Sequence, residues 1–128
     1  MDEYWFQYFP ENYMWSRAML KAIEMARWGA GALGEVDRIG RRLRGRVGDD
    51  EAWHAEWATM ARRLEESADA HAAAGRELTA GSYYLRAATY YFDFDFLAER
   101  FLAPCAEKIE GYRRCLCCFT EGRSAAIR

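Results

Sequence analysis

The pattern closest to chemistry is the carboxylate pair in "FDFDF", Phe92 to Phe96. On an extended strand Asp93 and Asp95 would share one face, with the three phenylalanines on the other. Two carboxyl groups whose surroundings drive their pKa values apart can divide the work of acid and base. No second strand is visible to pair with this one, so the alternative is a helix end or turn with solvated aspartates. Gly29 to Gly34, "GAGALG", spells G-x-G-x-x-G. That motif cradles a pyrophosphate only where a strand enters it and a helix leaves it. The preceding "MLKAIEMARW" is helical in pattern, so the glycines read as a turn between helices. "RIGRRLRGR" is a run that could meet phosphates. Its arginines interleave with Ile39 and Leu43 rather than with aromatics for base stacking, which makes it a solvated helix face.

Cys115, Cys117 and Cys118 are metal-ligating residue types. Zinc sites pair their cysteines at C-x₂₋₄-C spacing or add histidines to reach four ligands. Here the thiols fall at i, i+2 and i+3 and point in different directions on a helix, and His54 and His71 are far away in sequence. No metal and no cofactor is expected. Ser16, Ser67, Ser82 and Ser124 all lack the glycines of a nucleophile elbow. Neither histidine has a recognisable partner. Alone, the chain is expected to catalyse nothing.

The chain has 128 residues, 52% of them hydrophobic and 16% aromatic. That excludes a disordered class and suits one domain with a real core. It also offers more apolar surface than a small core needs, leaving some for a ligand or a second domain. A net charge of −2 gives no general attraction to nucleic acid. Apolar runs are too short to span a membrane. The acidic, aromatic start "MDEYWFQYFPE" is unlike a secretory signal and favours the cytoplasm. Four cysteines without such a signal read as free thiols.

Hydrophobic spacing predicts an all-α chain, a compact bundle of about five helices with short connections. The first runs from about Asn12 to Trp28, with Trp15, Met19, Ile23 and Ala26 on one face. The second runs from about Glu35 to Arg44, with Val36, Ile39 and Leu43 inward and Arg38, Arg41, Arg42 and Arg44 outward. The third is capped by Asp49 or Asp50 and stopped at Gly75, with a stripe of Trp53, Trp57, Met60, Leu64, Ala68 and Ala72. Arg62 and Glu66 stand i, i+4 on its polar side. The fourth starts near Thr79 and ends between Phe92 and Leu102. The fifth begins at Pro104 and ends at Gly122, its apolar stripe being Ile109, Tyr112, Leu116 and Phe119. The last residues, "RSAAIR", have no partner element.

Three stretches carry a family likeness: "GALGEVDRIGRRLRG", the long run from Gly48 to Tyr91, and "EGYRRCLCCF". The Trp53 and Trp57 pair, Ala61, Ala68, Gly75 and "YLRAATYY" are its strongest points. From about Gly29 to Gly122 the chain resembles the N-terminal helical lid of one branch of the alpha/beta-hydrolases. That branch includes 2,6-dihydroxypseudooxynicotine hydrolase, fungal polyketide-shortening pigment hydrolases and fermentation-respiration-switch-type esterases. The chain departs from it at "FDFDFLAERFLAP". It also stops at Arg128, where the family's catalytic domain would begin. By this resemblance residues 1–128 form one lid-like domain: an aromatic segment and first helix at 1–28, the lid at 29–122, and a tail at 123–128.

The resemblance implies a lid and substrate pocket for a serine-type hydrolase, acting on an ester or carbon–carbon bond of a ketone-bearing or polyketide-like small molecule. The partner would be the catalytic domain, in the same chain or another, with room for a homodimer. Pocket candidates come from the fourth helix. Tyr83, Arg86 and Tyr90 lie on one face; Tyr84 and Tyr91 lie, with Ala88, on another. One face should pack on Trp57 and Leu64 while the other faces the catalytic domain. A tyrosine could donate to a substrate carbonyl, and Arg86 could hold a carboxylate or phenolate. The rival expectation is a stand-alone helical module binding a partner helix or peptide.

Overall fold

The computed structural model describes residues 6–96 and 106–127. Five α-helices account for most of them, with no strand among the described residues. Helix α1 is Tyr13–Glu24, and the Asn12 side chain accepts the Trp15 N–H at 3.0 Å to start it. A 3-10 turn, Met25–Trp28, then tightens the chain and ends at Gly29 with φ 75°. The change of pitch turns Ala26 off the apolar face, so it is exposed where regular spacing would bury it.

Helix α2 is Leu33–Leu43, and Val36, Ile39 and Leu43 are its buried side. Helix α3, Asp50–Ala73, is capped by Asp49, which accepts the Ala52 N–H at 3.1 Å. Its end is a Schellman motif. Gly75, with φ 79°, donates to Ala72, and Arg76 donates to the His71 carbonyl. The α3 stripe is buried from Trp53 to Ala68, and Ala72 beyond it is exposed.

Helix α4 is Glu77–Phe96. The backbone through Asp93 and Asp95 is therefore helical, which sets the two positions about 200° apart around the axis and removes the shared strand face. Helix α5 is Ala106–Ile127. It passes straight through Gly122 and takes up most of the residues expected to form a tail. The expected start at Pro104 lies outside the described residues. Helix α4 makes its main contacts with α3 and with α5.

The core is threaded by aromatic rings. Phe9 meets Trp15, Trp15 meets Trp53, Trp53 meets Trp57, and Trp57 meets Tyr90, at centroid distances of 5.4, 4.9, 5.2 and 5.6 Å. Such tilted and edge contacts suit the ring quadrupoles. One element was not legible from spacing. Residues ahead of α1 strap onto α2, with the Tyr8 ring lying over Gly40, where a Cβ would collide with it. The Tyr8 hydroxyl donates to Asp37 Oδ1 at 2.6 Å. Ser16 ties the strap down by donating to the Phe9 carbonyl and accepting its N–H.

Candidate functional site

All five pocket candidates lie on α4, which places them between other helices of the same chain. Tyr90 is fully buried. Its hydroxyl donates to Glu35 Oε1 at 2.8 Å and accepts the Ala32 N–H at 3.0 Å. Burial, and then the Glu35 charge, push its phenol far above the usual range. This one hydroxyl satisfies the N–H of Ala32, the residue that opens α2 without a capping side chain. Glu35 sits in the first turn of α2, where a negative charge suits the helix dipole.

The same Glu35 oxygen accepts from Arg86 Nε at 3.0 Å. Arg86 also donates to Ser82 Oγ at 2.7 Å. Its guanidinium stands 4.6 Å from the centroid of the Tyr83 ring. Tyr83 in turn stacks on His71 at 5.2 Å, and His71 Nδ1 accepts from Arg76 Nε at 2.9 Å.

The second set turns toward α3 and α5. The Tyr84 hydroxyl donates to Asp69, and the Tyr91 hydroxyl donates to Glu65 Oε1 at 2.8 Å. Burial leads the rise of both phenol pKa values, and the paired carboxylate adds to it. Glu65 also accepts from Arg114 Nη1 at 2.9 Å and from the Cys118 thiol at 3.5 Å. Burial pushes that thiol well up, so it stays protonated and is a poor nucleophile.

Both aromatic faces of α4 are thus covered from within the chain. Trp57 packs on one, and α5 covers the other, the face expected to look toward a catalytic domain. Tyr84, Tyr90 and Tyr91 are buried, while Tyr83 and Arg86 are half-buried. The carboxylates that organise them, Glu35, Asp69 and Glu65, carry no sequence signal of the role, because each lies on a different helix from its tyrosine.

The larger correction concerns α5. Ile109, Leu116 and Phe119, the expected core stripe, are 58%, 48% and 51% exposed. The side chain of Tyr112 lies outside the described residues. The face that meets α4 carries Cys115, Cys118 and Gly122 instead, and Cys118 is 1% exposed. Small residues win this position because α4 already projects Leu85, Tyr84 and Tyr91. A Cβ on Gly122 would lie 2.8 Å from Leu85 Cγ and 3.1 Å from the Gly81 carbonyl oxygen. Close approach therefore requires the thin face of α5 inward, and its bulky face is left outside.

The remaining motifs take ordinary places. Of the "GAGALG" glycines, Gly29 and Gly31 lie in the α1–α2 turn, where Gly31 passes close to the Ala22 carbonyl, and Gly34 lies in the first turn of α2. Among the α2 arginines, Arg41 pairs with Asp37, and Arg42 pairs with Glu56, as does Arg46 just beyond the helix. Cys117 is exposed, pointing away from the buried Cys118. Cys115, half-buried, packs against the core on the same side as Cys118. Among the described residues no cluster of His, Cys, Asp or Glu is arranged to hold a metal ion, and no helix is long and apolar enough to cross a membrane. Comparison with family models, curated proteins and solved structures returned no match.

Proposed function

We propose that this chain is a helical docking domain and that the outer face of α5 is the surface it offers to a partner protein. One observation carries the reading. Three large apolar side chains at helical spacing stand about half exposed on one side of α5, while its small residues are turned inward. Burying a large apolar side chain fully is worth roughly 1.5–3 kcal/mol. Three half-buried ones on a single face therefore leave a few kcal/mol to be gained by association. Single exposed apolar residues are common on protein surfaces; a co-facial row is a different feature.

A photo-crosslinking residue at position 116, in the full chain expressed in its own cells, tests this. A discrete adduct that is absent when the same residue replaces the exposed Arg62 of α3 is the expected result. Equal, diffuse labelling at both positions would overturn the reading.

A second reading makes the partner an alpha/beta-hydrolase catalytic domain and this chain its lid. It draws on the likeness across Gly29 to Gly122. It also draws on Tyr83 and Arg86 being half-buried on α4, where a bound substrate could reach them. The hydrolysed substrate would then be an ester or ketone-bearing small molecule, with water excluded by the lid. Adding this chain to a hydrolase domain stripped of its lid should change the rate of aryl-ester cleavage, and Arg86→Ala should alter KM. An unchanged rate, or an effect of Arg86→Ala on melting temperature alone, would count against it.

A further inference from the structure

We infer that the outer face of α5 selects an acidic amphipathic helix, one with an apolar stripe flanked by Asp or Glu. The inference rests on the docking reading above and adds the chemistry of the partner. Positions within about 80° of Leu116 around the helix are its outward half. With their side chains described, they are Ile109, Arg113, Phe119, Thr120, Arg123 and Ser124. Two of these, Ile109 and Phe119, flank Leu116 as an apolar row, and two are arginines. No carboxylate belongs to that set.

Arg113 is 65% exposed at its side chain, and its partner Glu110 sits on the flank toward the bundle, at 2.8 Å. Glu110 also accepts from Arg114 Nε at 2.9 Å, so its charge is divided between two arginines. Arg123 is exposed. Glu110 thus holds Arg113 from the flank, through Nε at 3.0 Å and Nη2 at 2.8 Å, and the described outward half itself is apolar and basic. Ile109 to Phe119 spans about 15 Å along the axis, the length of roughly three turns of a docked helix.

Charge decides among occupants. A second copy would bring two more arginines and no carboxylate to the outward faces, which is unfavourable for pairing in register. An anionic lipid surface is held by clusters of about 4–8 basic residues near the bilayer, more than the two arginines among the described residues of this face. An acidic amphipathic helix matches both the apolar row and the two guanidinium groups, which bind carboxylates well.

The test uses fluorescent peptides of roughly 18 residues, about five helical turns. One carries a leucine stripe flanked by Glu; the other carries the same stripe flanked by Lys. Each is titrated against the intact chain by anisotropy. The Glu-flanked peptide should bind at least about tenfold tighter than the Lys-flanked one, a difference of about 1.4 kcal/mol. The preference should shrink with salt, and the double variant Arg113→Glu, Arg123→Glu should reverse it. Equal binding of both peptides would overturn the acidic selectivity and leave the docking reading standing. Binding to neither peptide, with the position-116 adduct still present, would likewise overturn the acidic helix alone. Loss of that adduct as well would remove the docking reading with it. Sedimentation of the chain as a dimer, or its binding to phosphatidylserine vesicles but not to the Glu-flanked peptide, would assign the face to another occupant and overturn the inference.

Discussion

Gly122 of α5 lies against Leu85 of α4 so closely that a Cβ at position 122 would stand 2.8 Å from Leu85 Cγ. This contact sets the rotation of α5. It brings Cys118 and Gly122 inward and leaves Leu116 and Phe119 outside.

Gly122→Ala should therefore destabilise the fold by about 1–3 kcal/mol, the usual cost of overpacking. Gly34→Ala, in α2 with open space at its Cβ, should instead be neutral or stabilising by up to about 1 kcal/mol. Urea unfolding of the two variants checks the contrast. Equal effects would mean that α4 and α5 are not in close contact at Gly122.

The two faces of α5 should respond unequally to a charge. Leu116→Asp and Phe119→Asp should each cost only about 1–2 kcal/mol, the half of the side chain already buried plus the lower helix propensity of Asp. Cys118→Asp would place a second carboxylate beside Glu65 at a site that is itself 1% exposed, and should cost about 3 kcal/mol or more. Thermal melts of the three variants suffice to compare them.

Much of this fold is legible in the sequence, and the exceptions share a cause. The α3 stripe, the Asp49 cap and the Gly75 stop follow from local rules that act within a few residues. The rotation of α5 does not. Hydrophobic periodicity assigns the bulkier side to the interior, whereas here the room left by α4 admits only Cys118 and Gly122. The tyrosine partners are equally hidden. Tyr84, Tyr91 and Tyr90 find their carboxylates 15, 26 and 55 residues away. No spacing rule within one helix connects them. The second face of "YYLRAATYY" was expected to meet a catalytic domain, but α5 of the same chain covers it, a pairing that no local spacing announces.

Glu35 holds both Tyr90 and Arg86 in a largely buried cluster, with side-chain exposures of 16% for Arg86 and 17% for Glu35. Glu35→Ala leaves a guanidinium and a phenol without their acceptor, and should cost about 3 kcal/mol. Arg41→Ala removes an ion pair whose arginine is 74% exposed, and should leave the melting temperature unchanged. Denaturant titrations separate the two cases.

Alkali should unfold this protein. The ordinary pKa is 9.0 for the Cys118 thiol and 10.0 for the Tyr84, Tyr90 and Tyr91 phenols, and in the fold all four are raised. The folded state thus keeps protons that the unfolded chain releases. The stability these groups contribute is whole below pH about 9 and is lost as pH climbs from there toward the folded values. Each group steepens the loss by about 1.4 kcal/mol per pH unit once its unfolded form ionises. Tyrosinate absorbance and helical signal should change together in one alkaline transition. Tyrosines that titrate smoothly near 10 with the helices intact would show that their carboxylate partners are misassigned.

Thiol reactivity tests the setting of α5 most directly. Cys117 is exposed and Cys118 is 1% exposed, although they are adjacent in the chain. Native protein should be alkylated with iodoacetamide and the modified positions read by peptide mass spectrometry. The inward position of Cys118 predicts rapid labelling of Cys117, with Cys118 protected until the protein unfolds. Labelling of Cys118 as fast as Cys117 would contradict it. It would turn the thin face of α5 outward, bury Leu116 and Phe119, and remove the docking surface.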